Sequence, residues 1–154
     1  MEFMAIQYGS AAYQQTLALR NRVMRKPLGL SIATEDFSHE AGAFILGAFE
    51  KEDLLGVAVL SLDTIKQVAM LEYLCVDNEK QSQGVGQALL EKMEAYGAEQ
   101  GMEKMTLEAR VSAQAFYEKN GYQIVGESYL LEVAPVPHIL MTKSLVESSK
   151  VKDR

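Results

Sequence analysis

Apolar residues fall in short blocks along the chain, and the spacing inside each block predicts the element it forms. "FMAIQYG" (3–9) predicts a short strand ending at Gly9. Ser10 then fits a helix N-cap, with Ala12, Thr16, Leu19 and Val23 on one face of a helix running to about Met24. Pro27 stops it, because the residue before a proline is pushed out of the helical region. "KPLGLS" (26–31) predicts a turn, and the polar "TEDFSHEAG" (34–42) a loop or a brief helical turn.

Three nearly continuous apolar runs follow: "AFILGAFE" (43–50), "LLGVAVLSL" (54–62) and "VAMLEYLCV" (68–76). The short polar breaks between them suit hairpins, so they predict an antiparallel meander whose strands are covered on both faces. From Gly84 to about Gln100 the period becomes helical. Val85, Leu89, Met93 and Tyr96 share one face, opposite Gln87, Glu91 and Glu94, and Gly101 closes the helix. "KMTLEAR" (104–110) predicts a strand, "SAQAFYEKN" (112–120) a short helix ended by Gly121, and "YQIVGESYLLEV" and "HILMTKSL" a last strand pair. The order is that of one mixed α/β domain with a βαβ crossover after the meander, and a flexible tail is expected over about 147–154.

Composition narrows the function. A chain of 154 residues with a formal net charge of -6 lacks the basic footprint that nucleic acid requires, whereas its acidity would attract a small cation. Its one cysteine, Cys75, has no partner for an internal disulfide, and His39 and His138 alone make no metal-ligand spacing, so no metal is expected. The N-terminus lacks the basic and apolar regions of a signal peptide, and no apolar run approaches the roughly 18 residues of a membrane span. A cytoplasmic protein with no membrane partner is the expectation.

The stretch "YLCVDNEKQSQGVGQALL" (73–90) carries candidate chemistry. A triphosphate loop would need Lys-Ser/Thr after its second glycine, where Gln87-Ala88 stand. A dinucleotide loop would need a third glycine at Leu89. What remains, Gln81-x-x-Gly84-x-Gly86, leaves backbone N–H groups unobstructed at a helix N-terminus, where the dipole favours an anion. A plain strand-to-helix turn explains the same residues.

That loop follows a strand ending in Val76-Asp77, and Ala113, Phe116, Tyr117, Gly121 and Tyr122 follow in A-x-x-FY-x-x-x-GY spacing. Together these resemble the two motifs of the GNAT superfamily, the Gcn5-related N-acetyltransferases, over about residues 43–144. The resemblance implies an α/β (α+β) fold, with a mostly antiparallel central sheet and helices on both faces. "LLEVAPVPHILM" also resembles a branch of predicted acetyltransferases with a GIPH-like segment, with Pro135-Val136 where that branch has Gly-Ile.

The resemblance implies acetyl-CoA as co-substrate. Its pyrophosphate would meet the N–H groups of Ser82, Gln83, Gly84, Val85, Gly86 and Gln87, with Gln81 and Gln83 adding side-chain hydrogen bonds where the family more often has arginine or lysine. Its pantetheine arm would pair with the backbone around Leu74, Cys75 and Val76, while the Cys75 side chain reads as packing. Arg110 stands where the family commonly places Asn or Gln toward the cofactor, and Phe116 neighbours it as cofactor wall or core. Tyr117 matches the family's general acid, and an aromatic filling core is the alternative. Glu72, a carboxylate inside an apolar run, fits a general base or a solvent-facing strand residue. Arg20 and Arg25, in a basic cluster with Arg22 and Lys26, would bind an acidic group on the acceptor or form a solvated face. His138 would lie near the acceptor or serve structure.

The function so implied is acetyl transfer from acetyl-CoA to the amine of a small molecule or peptide, with room for a homodimer. A non-catalytic acyl-CoA-binding regulator of the same fold, or a nucleotide-binding domain, are the rivals.

Overall fold

The structure, a computed structural model, describes residues 1–146, with the side chains of Gln81 and Ser82 excepted. The tail expected over 147–154 lies outside the described residues. Seven strands form one sheet: β1 (Glu2–Ala5), β2 (Phe44–Glu50), β3 (Asp53–Asp63), β4 (Val68–Val76), β5 (Lys104–Arg110), β6 (Gln123–Leu130) and β7 (Pro137–Ser144). Their order across the sheet is β1-β2-β3-β4-β5-β7-β6. The β1–β2, β2–β3, β5–β7 and β6–β7 ladders are antiparallel, and β4 runs parallel to β5 from Val68↔Lys104 to Leu71↔Leu107. Among the described residues three α-helices accompany the sheet: α1 (Ala11–Arg20), α2 (Val85–Glu99) and α3 (Gln114–Lys119). The meander, the crossover and the final strand pair all form as the pattern predicts.

Packing divides the chain into two compact units. The first contains residues 1–61 and 72–92. Its core gathers Ile6 just after β1 with Tyr13, Leu19, Ile45, Phe49, Val57, Val59 and Cys75, inward positions of α1, β2, β3 and the end of β4. β3 is buried without a break from Leu55 to Leu60, which is why its sequence shows no alternation. The second unit contains residues 62–71 and the chain from residue 93 onward. Here alternation is clean: Met105, Leu107 and Ala109 of β5 are buried between exposed or half-exposed neighbours. β6 is the edge strand and is exposed along nearly its whole length.

α1 departs from the expected helix. Ser10 caps it, its hydroxyl accepting from the Tyr13 N–H at 3.1 Å. After Arg20 the helix widens into a π-helical turn, Asn21–Arg25, and a 3-10 turn, Lys26–Leu28, finishes on Gly29 in the left-handed region. The buried face is Tyr13, Thr16, Leu19 and Arg20, so a tyrosine and an arginine join the face that the apolar pattern predicts.

Arg20 and Glu40 are both fully buried. Arg20 donates from Nη1 to Glu40 Oε2 at 2.8 Å and from Nη2 to Oε1 at 2.9 Å, while the Tyr13 hydroxyl donates to Oε1 at 2.7 Å. The guanidinium carbon lies 4.7 Å from the Tyr73 ring centre, 5.3 Å from Phe37 and 5.8 Å from Tyr13. Burial, then the bond to Glu40, pushes the Tyr13 phenol well above its ordinary range, so it stays a donor. Removing one partner of such a pair strands a charge out of water. Glu40→Ala should therefore lower unfolding free energy by about 3–5 kcal/mol, read by urea denaturation. A loss within experimental error would mean that Arg20 finds water or another acceptor.

Candidate functional site

In the first unit, the loop between β4 and α2 is built by three local devices. The Asp77 side chain caps the 3-10 turn Asn78–Gln83, accepting from the Glu79 N–H at 3.0 Å. Gly84 then takes φ +79°, a left-handed conformation that ends this turn and starts α2. A side chain added at Gly84 would meet nothing within 4 Å, so the backbone faces open space. Gln83, Gly84 and Gln87 are exposed, Gly86 is half-buried and Val85 is core. The first N–H groups of α2 have no acceptor within the helix itself, and they form the positive end of a 15-residue helix.

Opposite the start of α2, Gly56 on β3 allows a close approach. A Cβ there would lie 3.0 Å from Leu89 and 3.1 Å from Val85. Leu74 is half-buried, and Cys75 and Val76 are buried, with the Cys75 thiol 3.9 Å from the Leu19 carbonyl. A buried thiol in that contact is packing.

Glu72 is neither core nor freely solvated: its side chain is 25% exposed. Its Oε2 accepts a hydrogen bond from the Ser61 hydroxyl, and its Oε1 lies 2.9 Å from His39 Nε2. Neither Ser61 nor His39 is a candidate on sequence grounds, because each lies in a segment with no motif.

The arginines require a correction. Arg20 has no exposed surface and its guanidinium faces Glu40, so it presents no charge to a ligand. Arg25 is 4% exposed and donates to both oxygens of Glu35, at 2.6 and 3.0 Å, and to the Tyr73 hydroxyl at 3.0 Å. Neither is part of a solvated face. Arg22 is exposed but pairs with Asp77 at 2.8 Å.

In the second unit, Tyr117 is buried on α3 between two rings, with Phe116 5.1 Å and Tyr122 5.7 Å away, both edge-on. Burial pushes its phenol well above the ordinary range, which keeps it protonated at neutral pH. Among the described residues its hydroxyl makes no hydrogen bond, whereas the Tyr122 hydroxyl donates to Glu94 at 2.8 Å. Phe116 is half-buried and so is Arg110, at the end of β5. His138 is buried on β7, in register with Arg110 of β5 and Tyr129 of β6. Its Nδ1 lies 2.7 Å from the Val136 carbonyl, which can only accept, so Nδ1 carries the hydrogen. Among the described residues no group of His, Cys, Asp and Glu could hold a metal ion, and no helix is long and apolar enough to cross a membrane.

Comparison with known proteins gives one family. The family model described as acetyltransferase (GNAT) domain matches residues 18–145. An uncharacterized N-acetyltransferase of Bacillus subtilis, YjcF, is 36% identical over 73 residues, 47% of this chain and 51% of that protein. The chain spans about half the length of the curated relatives it matches. Among solved structures, an aminoglycoside 6'-N-acetyltransferase complexed with coenzyme A aligns over 96% of this chain and 98% of its own, with a TM-score of 0.78 and 17% identity. Escherichia coli ElaA aligns over 92% and 98%, with a TM-score of 0.77 and 20% identity.

The φ of Gly84 gives this loop a stability test. Gly84→Ala meets no clash but must hold a left-handed conformation, so thermal denaturation should show a loss of about 1 kcal/mol. A neutral substitution would mean that the turn relaxes to negative φ.

Proposed function

The chain belongs to the GNAT acetyltransferase family, and on that premise we propose that it transfers an acetyl group from acetyl-CoA to the amine of a small molecule or peptide. The observation that carries the proposal is the open N-terminus of α2 behind Gly84, directly after the strand that contains Glu72. The N–H groups of residues 82–87 would receive the pyrophosphate, with the helix dipole adding to them. The backbone around Leu74 and Val76 would pair with the amides of the pantetheine arm, as an added strand does.

The reaction forms a C–N bond and breaks a C–S bond. Glu72 accepts the proton that the ammonium must lose, and the nitrogen attacks the thioester carbonyl. As the intermediate collapses, Tyr117 donates a hydrogen bond and then its proton to the departing sulfur. An ordinary thiol has a pKa of about 8.5, so full transfer from a phenol held above its usual range is uphill even to the fully formed thiolate, and the hydrogen bond to the developing charge is the larger part of what Tyr117 supplies. A donor with no other partner is free for this task, and Tyr117 has that property. Arg110 and Phe116 are proposed to border the cofactor, and His138 the acceptor.

Thermal shift against acetyl-CoA, ATP and NAD tests the co-substrate. Acetyl-CoA alone should raise the melting temperature, and stabilisation by ATP or NAD instead would sink the reading. Mass spectrometry of amine panels with acetyl-CoA then tests turnover. Tight cofactor binding without acetylation across the panels would favour an acyl-CoA-binding regulator. Tyr117→Phe should lower kcat by about a hundredfold while the KM for acetyl-CoA stays unchanged. An undiminished kcat would remove the acid role.

A further inference from the structure

Three side chains from separate parts of the first unit meet at Glu72: Ser61 near the end of β3, Glu72 itself on β4, and His39 in the segment before β2. An ionised carboxylate only accepts, so both neighbours donate. The Ser61 hydroxyl bonds Oε2, and His39 bonds Oε1 through Nε2 at 2.9 Å, which places the hydrogen on Nε2. Each carboxylate oxygen thus has one donor from the protein and keeps a lone pair for another.

As a stabilising contact this arrangement is poor. The His39 side chain is 55% exposed, and an ion pair that open to water contributes between nothing and about 1 kcal/mol. Yet the backbone on both sides of His39 is firmly held. Asp36 accepts from the Ser38 N–H at 2.9 Å, and Glu40 is fixed by Arg20 and Tyr13. A segment anchored this closely delivers an exposed imidazole to one oxygen of a half-buried carboxylate.

We propose that His39 and Ser61 are positioning residues for Glu72, which together form the subsite that receives the acceptor's ammonium group. With a donor on each oxygen the carboxylate is held in one orientation, and each oxygen keeps a lone pair for the ammonium. This rests on the reading of Glu72 as the base. The subsite takes a cation, since its one charged acceptor is a carboxylate and the arginines Arg20 and Arg25 are engaged elsewhere.

The test uses the full chain with acetyl-CoA and four acceptors: spermidine, glucosamine, lysine and a peptide with N-terminal alanine. Glu72→Gln should lower kcat by about a hundredfold. His39→Ala should lower it by about tenfold at unchanged KM for acetyl-CoA, through loss of orientation. His39→Gln, whose amide can still donate to Oε1, should recover at least about half of the wild-type kcat. If Glu72→Gln is impaired but His39→Ala is not, or if Gln rescues no better than Ala, the positioning proposal falls and the base reading stands. If Glu72→Gln turns over at the wild-type rate, the base reading itself falls and this proposal with it.

A second measurement needs no turnover. The chain has two histidines, so ring-nitrogen NMR resolves both tautomers. His39 should carry its hydrogen on Nε2 and lose that preference in Glu72→Ala, while His138 keeps Nδ1–H in both. An Nδ1–H His39 in the unsubstituted protein would overturn the geometry whatever the kinetics.

Discussion

A guanidinium and a carboxylate that never touch water, Arg20 and Glu40, set the arrangement of the first unit. Desolvating either alone would be prohibitive, and a well-packed apolar pair could fill the same volume with less penalty. What the ion pair adds is direction. A bidentate Arg–carboxylate contact is satisfied in one plane and at one distance, and three aromatic rings around Arg20 leave little freedom to depart from it. The connection from α1 to β2 has no α-helix or strand of its own. It is pinned at three points instead: Asn21 Oδ1 accepts from the Ile32 N–H, Arg25 grips Glu35, and Arg20 grips Glu40. His39 sits beside the last of these pins.

The same pairs settle the charge of the region. Arg20, Arg22 and Arg25 each meet a carboxylate, and of the basic cluster only Lys26 is exposed without one. A basic run in the sequence has therefore become a nearly neutral element. An amine bound at Glu72 as proposed would meet a carboxylate that none of the three arginines pairs with, in keeping with the acidity of the chain as a whole.

What could be read from the sequence follows from how local each cause is. The meander strands, α2 and the crossover are specified by apolar periodicity and by glycines at their ends, so they lie within a residue or two of expectation. The helix motif at Phe116-Tyr117 is likewise local. Arg20 is a different case. Pattern reading counts arginine as polar and exposed, and its burial depends on Glu40 and Tyr73, which lie far along the chain. The π-helical widening after Arg20 turns the side chains of residues 21–25 to new bearings, and no residue in that stretch announces it. His39 and Ser61 were hidden for a related reason: each is unremarkable alone, and only the fold brings them to Glu72.

The glycine loop shows how a local signal becomes a site. Gly84 explains why the chain can turn there, but a turn on its own leaves the direction of the following helix open. Gly56 supplies that direction. With no side chain on β3 at this point, Val85 and Leu89 close onto the strand, and a Cβ would also stand 3.2 Å from the Cys75 carbonyl. The first turn of α2 is thereby fixed against β3 and the end of β4, and with it the bearing of its first N–H groups. An anion bound by a frayed or mobile helix end would have to supply the ordering itself, at a cost to affinity. Here the packing at Gly56 has already supplied it, so an anion bound there as proposed would meet donors whose positions the fold has set.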